Sequence, residues 1–123
     1  MIYTVTLNPA LDYVMHTGRL RFDDINRCEK ETISYGGKGI NVSVILTRLG
    51  IRNKALGLIA GFTGDALEAM LQKDGICCDF HRLKSGMTRI NVKIKTDTEL
   101  DINAEGPSAD AEDIRQLLCK LDG

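Results

Sequence analysis

The stretch Tyr35-Gly36-Gly37-Lys38-Gly39-Ile40-Asn41-Val42 decides how the rest of the chain is read. A glycine cluster holding one lysine runs directly into an apolar segment, Ile40 to Leu49, that reads as a helix. Glycine relaxes φ and lets a ligand approach the backbone closely. The first turn of a helix leaves free N–H groups and a partial positive charge, which together suit an anion. Lys38 adds a mobile full charge among those donors. The pattern marks a candidate site for a phosphorylated or otherwise anionic small molecule. The plainer alternative, a flexible loop ahead of a buried helix, stands beside it. Two better-known glycine motifs are excluded. A P-loop needs a glycine, four residues and then Gly-Lys-Ser/Thr, but Thr32 and Gly39 occupy the first and last of those positions. The dinucleotide fingerprint needs a third glycine or alanine where Val42 stands.

Outward from this stretch, the helix carries Val42, Val44, Ile45, Leu46 and Leu49, apolar over much of its circumference, which predicts burial against a sheet. Asn41 is the polar exception in its first turn. Helical side chains lean toward the N-terminus, so its amide is expected to face the glycine loop. Upstream, Ile2 to Leu7 is a β-branched run closed by the turn Asn8-Pro9. Asp12 follows its carboxyl end, where ligands bind in open α/β sheets, and is a candidate acceptor for substrate hydroxyls; a polar turn residue is the alternative. Tyr13 to Thr17 and Arg27 to Tyr35 read as short extended pieces around a charged turn, and His16 reads as structural.

Downstream, Gly50 ends the helix and Lys54 to Ala60 is a second strand. Thr63 is the expected N-cap of a helix from Gly64 to about Lys73, with Asp65 in its first turn and Leu67, Met70 and Leu71 as its core stripe. Cys77 to Leu83 is expected to be a third strand. Ile90, Val92 and Ile94 then alternate with Asn91, Lys93 and Lys95. After Asp97-Thr98, Leu100, Ile102 and Ala104 alternate with Asp101, Asn103 and Glu105. This predicts an antiparallel hairpin with one wet and one apolar face, whose apolar face needs a cover such as another layer or a second subunit. Arg89 opens it. Ser108 is the expected cap of a last helix with the stripe Ala111, Ile114, Leu117, Leu118 and Leu121. Gly123 reads as its C′ residue, where a connection to a further strand is expected.

The 123 residues fit one domain able to bury a core. A net charge of −1 with both signs interspersed argues against nucleic-acid or membrane-surface partners. Met1 leads straight into a strand pattern, with no basic leader and no transmembrane run. The four cysteines, Cys28, Cys77, Cys78 and Cys119, show no metal-ligand spacing and read as reduced thiols of a cytoplasmic protein.

Taken in order, Thr6-Leu7-Asn8-Pro9-Ala10-Leu11-Asp12, Gly36-Gly37-Lys38-Gly39-Ile40-Asn41-Val42, Gly61-Phe62-Thr63-Gly64 and Thr88-Arg89-Ile90-Asn91-Val92-Lys93 resemble the ribokinase-like (PfkB) carbohydrate kinases through nearly the whole chain. The closest resemblance is to the members acting on fructose 1-phosphate, with the tagatose-6-phosphate kinases as the alternative. The resemblance implies the N-terminal part of a three-layer α/β/α fold over residues 1–123, with a small β-sheet lid from segments 12–17, 27–35 and 89–105. It implies that Asp12 and Asn41 hold sugar hydroxyls, that the backbone of Gly36 and Gly37 lines the sugar, and that Lys38 and Arg89 hold the phosphate already on it. MgATP is the implied cofactor, and a homodimer through the lid the implied assembly.

One departure concerns the chemistry. In the family a Gly-x-Gly-Asp motif in the C-terminal half supplies the catalytic base beside the nucleotide site, and no Gly-x-Gly-Asp occurs here. Gly61-Phe62-Thr63-Gly64-Asp65 has different spacing. The expectation is a truncated kinase that holds the sugar-phosphate site, has no catalytic, nucleotide or metal residues of its own, and is inactive alone. A non-catalytic sugar-phosphate binding or dimerisation module is the competing reading.

Overall fold

Few polar side chains interrupt the run from Ala55 to Ala60, and in the computed structural model, which describes residues Met1–Asp122, its strand is buried on both faces. This strand, β4 (Asn53–Ile59), is the centre of a parallel sheet, flanked by β1 (Ile2–Thr6) and the short β5 (His81–Arg82). β1 pairs with it in register from Ile2 opposite Asn53 to Thr6 opposite Gly57. A strand buried on both sides cannot alternate polar with apolar, which explains its continuous apolar run.

Each face of β4 meets a different helical layer. Ala55 and Ile59 pack with Ile40 of α1 (Lys38–Arg48) and with Leu67 and Leu71 of α2 (Gly61–Lys73). Leu56 and Leu58 pack on the other side with Leu117 of α3 (Ala111–Cys119), flanked by Tyr3. Helices on both faces of a parallel sheet give the three-layer α/β/α architecture. Polar contacts fix two of the helices. Ser43 Oγ lies 2.6 Å from Thr4 Oγ1 beneath α1. His81 Nε2 meets Asp113 Oδ1 at 2.9 Å, and Lys120 Nζ meets Asp79 Oδ1 at the same distance, beside α3.

A second sheet stands apart, ordered β3-β2-β6-β7. It comprises β2 (Ala10–His16), β3 (Lys30–Gly36), β6 (Arg89–Lys95) and β7 (Glu99–Ile102). β2 runs antiparallel to β3 and parallel to β6, and β6 and β7 form the hairpin expected from the alternation. One face carries Asp12, Ser34, Arg89 and Asn91. The other carries Leu11, Tyr35 and Ile90 toward the core, then Ile33, Leu100 and Ile102 with side chains left exposed.

Several local expectations are corrected. α2 begins three residues before Gly64, with Ala60 at its cap position. Thr63 is instead buried and donates its hydroxyl to Thr88 O at 2.7 Å, while Asp65 lies beyond the first turn and pairs with Arg82 at 2.6 Å. Cys77–Leu83 is not one strand: an isolated bridge from Cys78 to Ala55 precedes the two residues of β5. Asp110, not Ser108, caps α3, in a reciprocal capping box with Asp113. α1 and α3 are covered on one side only. Val42 and Ile45 stay about half exposed, and within the stripe of α3 Leu117 is buried while Ile114, Leu118 and Leu121 are not. Gly123 lies outside the described residues. No helix among the described residues is long and apolar enough to cross a membrane.

Candidate sugar-phosphate site

The site lies where the small sheet hands the chain to α1. β3 ends at Gly36, Gly37 turns, and Lys38 begins the helix. The three glycines are required for different reasons. A side chain on Gly36 would start 2.7 Å from Asp12 Oδ2. Gly37 has φ 137°, which L-residues rarely adopt, and a Cβ there would meet Thr6 Cγ2 at 2.6 Å. A Cβ on Gly39 would run into Val5 O at 2.7 Å, so this glycine lets α1 sit directly on the carboxyl end of β1.

That approach organises the helix start. No side chain of α1 caps it, and its first turn holds no acidic residue. Thr6 Oγ1, from β1, accepts from Ile40 N at 3.0 Å. The N–H groups of Lys38 and Gly39, ahead of the helical ladder, remain for a ligand, at the end of the helix that favours negative charge. Lys38 is exposed beside them.

The polar face of the small sheet continues the site across two rows. Gly36, Ala10 and Arg89 form the first; Ser34, Asp12 and Asn91 form the second. Adjacent strands are about 4.8 Å apart, so Gly36 and Arg89 lie roughly 10 Å apart on either side of Ala10, one row along from Asp12. Arg89 Nε donates to Asn8 O at 3.2 Å, and Nη1 leans on Ala104 O at 3.5 Å. Among the described residues neither Lys38 nor Arg89 is held in a salt bridge. Two cations without a carboxylate partner, free N–H groups and a carboxylate in the adjacent row suit a polyhydroxy compound carrying one phosphate.

Asn41 opens on a hollow of about 450 Å³ between α1, α2 and β3, shared with Ser34, Tyr35, Arg48 and Asp74. Tyr35 hydroxyl donates to Asp74 Oδ2 at 2.8 Å, tying the end of β3 to the end of α2, and burial with this bond pushes its phenol up. Among the described residues no group of three or more His, Cys, Asp or Glu side chains converges as a metal site.

Sequence alternation assigned Asn91 to the wet face with Lys93 and Lys95. It does share that face, but it is buried, with its amide bonded to Asp12 and to the backbone of Ala104. The available signal was weak: a short amide between two strand positions beside Arg89, where a longer cation would be the ordinary solvated choice. Asp12 likewise sits within a strand rather than a turn, directly opposite Asn91.

The pattern of the pfkB family of carbohydrate kinases matches residues 5–121. The chain is 45% identical over 118 residues to a 1-phosphofructokinase of Bacillus subtilis, covering 96% of this chain and 39% of that protein. It is 39% identical over 121 residues to a D-tagatose-1-phosphate kinase of Bacillus licheniformis, covering 98% and 40%. Among solved structures it resembles Escherichia coli phosphofructokinase-2 in complex with fructose-6-phosphate, with TM-score 0.87, 27% identity and coverage of 98% and 40%. The chain thus spans about two fifths of the length of the relatives it matches.

Proposed function

The chain belongs to the pfkB family of carbohydrate kinases, and from that premise we propose that it forms the sugar-phosphate side of a kinase acting on fructose 1-phosphate. In the whole reaction the γ-phosphoryl of MgATP passes to the sugar phosphate, giving fructose 1,6-bisphosphate. Asp12 and Asn41 hold the sugar hydroxyls, and the backbone of Gly36 and Gly37 lines the sugar. Lys38 and Arg89 hold the phosphate already present. The observation that supports this reading is that Asp12 shares a sheet face with the adjacent row Gly36-Ala10-Arg89, whose Gly36 end leads into the helix start bearing Lys38, with both cations free of ion pairs among the described residues.

These residues fit one phosphate on a sugar rather than a nucleotide. P-loop and dinucleotide patterns are missing, and no Gly-x-Gly-Asp occurs in residues 1–123. No step of phosphoryl transfer is therefore assigned to residues 1–123, and on their own they are expected to form no bisphosphate. Cytoplasmic residence is our reading of four free thiols. A homodimer through the small sheet is supported by the exposed Ile33, Leu100 and Ile102 on its apolar face.

The second reading is a tagatose phosphate, the 6-phosphate or the 1-phosphate named for the Bacillus licheniformis relative. Calorimetry of the 123-residue chain with fructose 1-phosphate, both tagatose phosphates and free fructose separates the cases. Fructose 1-phosphate should bind best. Lys38→Ala or Arg89→Ala should weaken it about 10- to 150-fold, the worth of a hydrogen bond to a charged group. Equal binding of free fructose, or indifference to both substitutions, would overturn the phosphate assignment.

A further inference from the structure

We propose that Asn91 is a positioning residue for Asp12, one that joins the sugar-binding carboxylate to the segment returning from the hairpin at Ala104. The inference rests on the reading of Asp12 as the sugar-hydroxyl acceptor and adds the group that orients it.

Asn91 lies opposite Asp12 in the parallel pairing of β6 with β2 and is 8% exposed. Its Nδ2 donates to Asp12 Oδ1 at 3.3 Å, and its Oδ1 accepts from Ala104 N at 3.1 Å. An ionised carboxylate only accepts and a backbone N–H only donates, so chemistry permits one orientation of the amide. The carboxylate is thereby limited from two sides. Oδ1 is engaged by Asn91, and Oδ2 lies against Gly36, where even a methyl group would push the carboxylate aside. The remaining lone pairs are left for the sugar.

The same amide reaches the returning segment, which other site residues also hold. Arg89 Nη1 leans on Ala104 O, and Asn8 Nδ2 donates to Glu105 O at 3.0 Å. A Cβ on Gly106 would meet Asn8 Oδ1 at 2.4 Å, so the segment runs tight against Asn8. Asp12 and Arg89, which contact opposite ends of a sugar phosphate in the proposed pose, are thus tied to one backbone unit, the first through Asn91 and the second directly. Binding and the ordering of Ala104–Gly106 become coupled.

Asn91→Asp tests this with a small change. It replaces the donor facing Asp12 by an oxygen but keeps an acceptor for Ala104 N. Asn91→Leu removes both bonds at similar volume. In calorimetry with fructose 1-phosphate, Asn91→Asp should bind at least about 10-fold more weakly than wild type, since a donor to a charged group becomes a like charge. Amide exchange at Ala104 should stay slow in Asn91→Asp and become fast in Asn91→Leu. A ligand-free measurement stands beside these: the side-chain NH₂ resonance of Asn91 should move in Asp12→Ala. Affinity within about twofold of wild type in Asn91→Asp, or an Asn91 resonance indifferent to Asp12→Ala, would overturn the proposal. If wild type binds no sugar phosphate while that resonance still moves, the sugar reading falls and the Asn91–Asp12 link stands.

Discussion

Replacing Gly36 with alanine separates binding geometry from stability more cleanly than any charge deletion. Gly36 is buried in β3, outside the left-handed region, so alanine fits its backbone. Such a Gly→Ala change stabilises by about 0.4–1 kcal/mol through the unfolded chain. Against this, the new methyl would start 2.7 Å from Asp12 Oδ2, whereas ordinary contact begins near 3.4 Å. The carboxylate must therefore swing by about 0.7 Å, and holding a side chain off its rotamer costs about 0.5–1.5 kcal/mol. The two effects nearly cancel, so the thermal midpoint should stay within about 5 °C of wild type. Binding has no such compensation. A carboxylate displaced by that distance loses alignment with the sugar hydroxyls, and one hydrogen bond to a charged group is worth about 1.5–3 kcal/mol. Calorimetry with fructose 1-phosphate should show a dissociation constant raised about 10- to 150-fold. An unchanged dissociation constant with an unchanged midpoint would mean that the position of the Asp12 carboxylate is not what the sugar reads. A midpoint lowered far beyond that range would mean that Gly36 is required for packing alone.

Three further outcomes follow from other parts of the molecule. Thr6→Val keeps the shape beside Gly37 but strands Ile40 N, so urea unfolding should show a loss of about 0.5–2 kcal/mol, the scale of a helix cap. Asp113 has its carboxyl lowered by the backbone of Asp110 and then by His81, so its contribution is present above the usual carboxylate range near pH 3.9 and lost as pH falls through its lower folded value. Asp113→Asn should therefore be less stable than wild type at neutral pH, and the gap should close below about pH 4 in acid titrations followed by circular dichroism. Ile102→Lys or Ile33→Lys, on the uncovered face of the small sheet, should shift sedimentation toward monomer, and an unchanged dimer would place the contact elsewhere.

Elements whose sequence period matched their burial were legible. The doubly buried β4, the alternating β6–β7 hairpin and the helix after Gly39 were read from pattern alone, to within a few residues. Capping was less legible because it depends on partners distant in sequence. Thr63 has the chemistry of an N-cap, yet its hydroxyl is drawn to Thr88 O, 25 residues away. Thr6 serves the start of α1 from a different strand, 34 residues before Ile40. Asn91 was missed for a related reason. Alternation reports which face a side chain occupies, and it cannot report that the polar face is itself covered by a returning segment.

The proposed site residues are scattered along the chain, and the covering segment links two of them, Arg89 directly and Asp12 through Asn91. Asp12 belongs to the central pair of the small sheet, Gly36 ends one neighbouring strand and Arg89 begins the other. Lys38 belongs to the helix that Thr6 fastens to the large sheet. The carboxylate and one cation therefore ride on the small sheet, while the other cation and the free N–H groups ride on the large one. In the proposed pose a sugar phosphate bridges them, which requires the two sheets to keep a fixed relation. Gly36 and Gly37 are the covalent joint between them, and the bonds of Asn8 and Arg89 across to Ala104 and Glu105 are the non-covalent one. Asn8→Ala, at the non-covalent joint and outside the proposed ligand contacts, should weaken fructose 1-phosphate binding in calorimetry, because it alters the relation of the sheets rather than the chemistry of either; unchanged affinity would mean that this joint does not hold the site together.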